Sequence, residues 1–137
     1  SNQKIEIPDN QGRNIVLYFY PKDDTPGCTI EGNDFTELNE SFIQSNTVVY
    51  GVSRDSIKSH EKFKKKFNYT IELISDEDES LCNQFDVIKL KKLYGKEHMG
   101  IVRSTFVISP SGDILKHWDK VKAAGHAQEV LGFIKEL

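Results

Sequence analysis

Apolar residues along the chain fall into runs of two different periods. Residues 14–20, Asn-Ile-Val-Leu-Tyr-Phe-Tyr, form a near-continuous apolar run, the composition of a strand buried on both faces of a parallel sheet. Residues 47–52 repeat that character. Between the two, Phe35, Leu38 and Phe42 recur at helical spacing, so strand, helix and strand predict a right-handed βαβ unit. A second helix is predicted around Ile57, Phe63 and Phe67, capped by Asp55 or a neighbour, and a short strand over residues 71–74. Residues 76–85 read as a short helix with acidic residues in its first turn. Residues 103–108 and 114–118 flank Ser109-Pro110-Ser111-Gly112-Asp113, whose turn chemistry predicts a hairpin. Val130, Leu131, Ile134 and Leu137 predict a closing amphipathic helix. The order is α/β, with a central mixed sheet flanked by helices.

Length and charge narrow the picture. A chain of 137 residues suits one domain over residues 1–137, without linker, repeat or low-complexity tract. A net charge of −3 and a pI near 5.8 give no electrostatic reason to expect nucleic acid, and Lys62, Lys64, Lys65 and Lys66 read as a solvated helix face. No apolar stretch approaches the roughly 20 residues of a membrane span. Two cysteines make no disulfide framework and no leader-like segment is recognisable, so a soluble protein in a reducing cytoplasm is expected. His60, His98, His117 and His126 lack ligand spacing, which argues against a metal. A glycine-rich phosphate loop and a Cys-x-x-Cys pair are missing too. Tyr18, Phe19, Tyr20 and Trp118 are assigned to core or pocket wall.

One cysteine stands out by position. Pro21-Lys22-Asp23-Asp24-Thr25-Pro26-Gly27-Cys28 carries Cys28 from the end of a strand to the start of a helix. Unpaired N–H groups and the macrodipole favour a thiolate there, and the thiolate is the nucleophilic form. Taken singly, these residues say less. Asp-Asp-Thr-Pro-Gly is a turn signal, Thr25 a turn or N-cap residue, Arg103 a surface charge on a strand, and a lone cysteine a small hydrophobe.

Together they resemble a family. Pro21, Thr25 and Cys28 match the Pro-x-x-x-Thr-x-x-Cys signature of peroxiredoxins, and Tyr18-Phe19-Tyr20-Pro21 through Cys28-Thr29-Ile30-Glu31 is similar to the bacterioferritin comigratory protein, or PrxQ, branch. A second anchor, Gly100-Ile101-Val102-Arg103-Ser104-Thr105-Phe106, resembles the segment in which that family keeps its active-site arginine. The resemblance implies a thioredoxin-like fold and a thiol-dependent peroxidase that reduces hydrogen peroxide and alkyl hydroperoxides through a cysteine sulfenic acid. No metal or organic cofactor is implied. Thioredoxin or a glutaredoxin-like protein would be the reductant, and the protein would be a monomer. Cys28 would be the peroxidatic nucleophile. Thr25 would turn its hydroxyl toward sulfur and peroxide, Arg103 would supply a permanent charge and a fork of donors, and Pro21 would wall the pocket. Glu31, expected in the first turn of the helix, would support the site from behind, its charge needing a cation to offset it. The rival is a redox-regulated sensor or holdase-type binding protein that shares Cys28 but turns over poorly.

Turnover needs a second thiol. Many relatives carry it five residues after the nucleophile, where this chain has Asn33. Cys82, between Leu81 and Phe85, is either a resolving cysteine or a packed core thiol. A disulfide to Cys28 needs Cα atoms within about 7 Å, so two helices would have to unwind locally. Otherwise an external thiol resolves. Relatives also carry an extra stretch between the Asp9-Asn10-Gln11-Gly12 turn and the first strand, whereas here Arg13 runs directly into Asn14. An omitted loop is favoured over a true loss, which would strain the first hairpin.

Overall fold

The computed structural model describes Ile7, Asp9 and residues 11–137. The elements run β1 (Asn14–Phe19), α1 (Pro26–Gln44), β2 (Thr47–Ser53), α2 (Ile57–Phe67), β3 (Glu72–Ser75), α3 (Ser80–Gln84), β4 (Ile88–Leu93), β5 (Lys96–Ile101), β6 (Ser104–Ile108), β7 (Ile114–Trp118) and α4 (His126–Lys135). The main sheet has the order β3-β2-β1-β6-β7. β1 lies at its centre, parallel to β2 and antiparallel to β6, so the sheet is mixed as the sequence predicts.

Burial on both faces explains the unbroken apolar run of β1. Val16, Tyr18 and Tyr20 point into one core layer with Cys28, Phe35 and Phe42 of α1, Phe63 of α2 and Val130 of α4. Ile15, Leu17 and Phe19 point into the other, with Cys82 of α3, Val87 and Ile101. Tyr18 stacks on Phe35 with ring centroids 4.5 Å apart, which seats α1 across the middle of the sheet.

One local reading needs correction, and one element was not foreseen. The acidic residues expected in the first turn of a helix over 76–85 precede it instead, because Asp76 is used as an outside cap. Its carboxylate accepts from the N–H groups of Leu81 at 3.0 Å and Cys82 at 2.8 Å, which shortens α3 to Ser80–Gln84. The helix α2 is capped by Ser56, the neighbour of Asp55, its Oγ accepting from the Ser59 N–H at 3.1 Å, as the sequence reading allowed. Residues 88–101 hold an unforeseen hairpin, β4 paired with β5 as a separate two-stranded sheet. Its turn is Tyr94-Gly95, at φ 52° and 77°, the left-handed pair that a tight hairpin requires.

At the other end, Arg13 enters β1 directly. Its guanidinium grips Asp9 through Nε at 3.0 Å and Nη2 at 3.1 Å, and the Asn14 N–H donates to the Asn46 carbonyl at 2.9 Å. Asn10 of the preceding turn lies outside the described residues.

Candidate active site

The loop that follows β1 is clamped before it reaches Cys28. The Tyr20 N–H still extends the ladder to the Val52 carbonyl, at 3.0 Å. Three residues on, the Asp23 N–H donates to Asp55 at 2.8 Å, and the Asp23 carboxylate accepts from the Tyr20 hydroxyl at 2.6 Å and the Ser59 hydroxyl at 2.7 Å. His60 Nδ1 completes this set at 2.7 Å from Asp23, while its Nε2 faces the Ile74 carbonyl at 3.1 Å. A carbonyl only accepts, so Nε2 carries a proton. Burial alone would raise the Asp23 carboxyl, but bonds from His60, Tyr20 and Ser59 outweigh it and hold the pKa below its ordinary value.

Thr25 is the N-cap of α1 and Pro26 its first residue, where the missing N–H costs nothing. The Thr29 N–H closes the first helical bond on the Thr25 carbonyl at 2.8 Å. Cys28 thus lies in the first turn, only 2% exposed, at a level where N–H groups have no intrahelical acceptor. The Thr25 hydroxyl donates to the Lys22 carbonyl at 2.9 Å. Its proton is committed there, so the expected donor role toward the sulfur is not the one observed, and its lone pairs are left to accept. Pro21 forms a half-buried bend at the start of the loop.

Arg103 is not on a strand but in the two-residue link between β5 and β6. Its carbonyl accepts from the Val121 N–H at 3.0 Å, and the preceding Val102 N–H donates to Val87 at 2.8 Å. From that anchor Nη2 reaches Cys28 Sγ at 3.3 Å and Nη1 reaches Glu31 Oε1 at 2.6 Å. A Cβ on Gly27 would stand 3.1 Å from Nη2, so glycine is what lets the guanidinium come so close. Glu31 lies a turn further into α1 than expected, which has no acidic residue in its first turn. It is fully buried, and burial pushes its carboxyl up to about 7 against the pull of Arg103. Its Oε2 has no hydrogen-bond partner. Burial works against the charge of Arg103, but Glu31 and Cys28 more than offset it, so the guanidinium pKa is raised.

Cys28 Sγ and the buried Glu31 carboxyl thus meet at the two arms of the Arg103 guanidinium. The pattern of the AhpC/TSA family matches residues 1–117. This chain belongs to that family. Peroxiredoxin Bcp of Xanthomonas campestris is 53% identical over 124 residues, covering 90% of this chain and 78% of that protein. Peroxiredoxin Bcp of Bacillus subtilis is 48% identical over 135 residues, covering 98% and 86%. Among solved structures, the X. campestris bacterioferritin comigratory protein, described for its alkyl peroxide reduction activity with a trapped intermediate, superposes with a TM-score of 0.87. It has 52% identity, and the match covers 91% of this chain and 80% of that one. The thioredoxin-like peroxiredoxin fold and a thiol peroxidase activity follow.

Within this peroxiredoxin, Cys82 is fully buried in the core layer on the opposite face of the sheet from Cys28. Both thiols are free. Burial pushes the Cys82 thiol well up, with Asp76 adding to it, which makes it a poor nucleophile where it stands. His98 lies exposed on β5. The grouping that spacing could not reveal is Asp23, Asp55 and His60, whose possible ligand atoms all lie within 4.8 Å. Every one of these side chains is already engaged by protein partners, so their role is to hold the loop.

Proposed function

We propose that Cys28 is the peroxidatic thiol and that it reduces hydrogen peroxide and alkyl hydroperoxides. The observation that carries this reading is the 3.3 Å contact between Arg103 Nη2 and Cys28 Sγ at the first turn of α1. The thiolate attacks one peroxide oxygen in line with the O–O bond. The S–O bond forms as the O–O bond breaks, two electrons pass from sulfur, and charge moves onto the departing oxygen. Arg103 is placed to stabilise that charge as it develops. The lone pairs of Thr25 accept from the peroxide O–H, and Pro21 shapes the wall beside them.

The sulfenic acid is then reduced by an external thiol, thioredoxin or a glutaredoxin-like protein, in a reducing cytoplasm. The placement of Cys82 across the sheet supports an outside reductant, and the protein would work as a monomer. Intact-mass spectrometry after one equivalent of peroxide, with dimedone present, tests this on wild type, Cys28→Ser and Cys82→Ser. A dimedone adduct on Cys28 in both wild type and Cys82→Ser is the expected result. Loss of two protons without trapping in wild type, together with trapping in Cys82→Ser, would make Cys82 the resolving residue. No oxidation at Cys28 would end the peroxidase reading of this residue.

A further inference from the structure

Glu31 does more than brace Arg103. Among the described residues, Arg103 is the one cation in hydrogen-bond contact with Cys28 or with Glu31. Lys91 of β4 reaches Cys28 and Arg103 electrostatically but bonds to neither. Two groups that can carry negative charge therefore share one fork. If both were ionised, two anions would face a single cation at a site where Glu31 has no exposure and Cys28 almost none. The bare Oε2 adds to the cost of the carboxylate form, because an ionised oxygen without a donor loses all its solvation. The other groups that face Glu31 bring no relief. Asp34 on the same helix opposes its ionisation. Tyr18 from β1 and Tyr69 after α2 are themselves held neutral by burial.

Resting on the reading of Cys28 as the attacking thiolate, we propose that Glu31 stores the proton that the departing oxygen needs. Before reaction Cys28 is the thiolate, Glu31 the carboxylic acid, and Arg103 the counter-charge of the sulfur. Attack converts the thiolate and ROOH to sulfenic acid and RO⁻. The Glu31 proton then passes to RO⁻, directly or through one water, giving ROH and a Glu31 carboxylate. The sum is thiolate, carboxylic acid and ROOH going to sulfenic acid, carboxylate and alcohol, with two electrons moved from sulfur to oxygen. Arg103 stays protonated throughout and exchanges sulfur for carboxylate as its full counter-anion. The buried charge is thus the same before and after the step.

Infrared difference spectra between reduced and peroxide-oxidised wild type read this directly. Oxidation is expected to remove a carboxylic-acid C=O band and add a carboxylate band, and both changes should be missing in Glu31→Gln. A pH indicator in weakly buffered solution gives the second readout. Where ultraviolet absorbance shows Cys28 to be thiolate, wild type should take up almost no protons on oxidation and Glu31→Gln about one per cysteine. A role in positioning Arg103 alone would leave that stoichiometry the same in both proteins. The proposal is overturned if wild type takes up about one proton per Cys28, with no carboxyl band lost, while dimedone traps the sulfenic acid. If dimedone traps nothing in wild type, the reading of Cys28 beneath it fails and takes this proposal with it. Should Glu31→Gln not fold, the wild-type spectrum alone decides.

Discussion

Arg103 makes two short contacts with two different Nη atoms, and that division of labour is what a guanidinium offers and an ammonium does not. Arg103→Lys keeps a charge but cannot span Cys28 and Glu31 together. Its second-order rate with peroxide, followed in competition with a reporter peroxidase, should fall by roughly 100- to 1,000-fold, the scale of losing a donor aimed at developing charge. Glu31 also leaves a mark on stability. Its folded pKa is raised from 4.5 to about 7, so the native state holds this proton more tightly than the unfolded chain. The contribution is fully present below about 4.5 and is lost as pH rises through about 7, on the order of 3 kcal/mol in all. Urea midpoints measured across that window should decline in wild type and flatten in Glu31→Gln. Cys28 stands out also by its place between a strand end and a helix start, whereas Thr25 and Arg103 could be picked from the sequence only because two separated motifs resemble a family. The depth of Glu31 could not, since a glutamate on a helix looks the same in sequence whether it faces water or a buried arginine.

At the level of elements, the clamp on the loop between β1 and α1 comes from a different helix. His60 of α2 joins Asp23 of the loop to Ile74 of β3, so one buried ring sets the path that leads to Cys28. His60→Ala would leave Asp23 and the Ile74 carbonyl short of partners. A loss of about 3 kcal/mol in unfolding free energy is expected, with amide exchange accelerated over residues 21–28 but not in β1. Gly32→Ala tests the opposite wall. A methyl there would fall on the ring of Tyr69, whose hydroxyl donates to the Thr29 carbonyl at 3.1 Å. Overpacking of this kind costs about 1–3 kcal/mol, and a thermal scan would show it. Of the elements legible in the sequence, β1, α1, β2, α2, β3, β6 and α4 have apolar faces that reach the core, whereas β7, exposed but for half-buried Trp118, was legible through the turn before it. The β4–β5 hairpin was hidden because it stands largely outside that core. Ile88-Lys89-Leu90-Lys91 alternates only briefly among lysines before Lys92 breaks the pattern, and its Leu90 and Met99 face each other at the surface.

For the molecule as a whole, the central sheet divides the two cysteines. Cys28 belongs with Val16, Tyr18 and Tyr20, and Cys82 with Ile15, Leu17 and Phe19. A bond between them would have to bring sulfur from one layer past the sheet to the other, which means releasing the first turn of α1 and all of α3 from their cores. Spacing along the chain could not reveal this, because 54 residues of separation, from 28 to 82, fix neither distance nor face. The same division sets the outcome of removing Cys82. Its thiol is fully buried and its N–H is bound by Asp76 at 2.8 Å, so Cys82→Ala deletes a small packing group and leaves that backbone bond intact. The cost should be about 1 kcal/mol, as for a single buried methyl-sized group. Peroxide consumption driven by an added thiol reductant should stay within about twofold of wild type, because nothing at Arg103 or Glu31 is touched. If turnover instead collapses while the first oxidation of Cys28 remains fast, the layers must open in each cycle, and the reductant would then be acting on a disulfide rather than on the sulfenic acid.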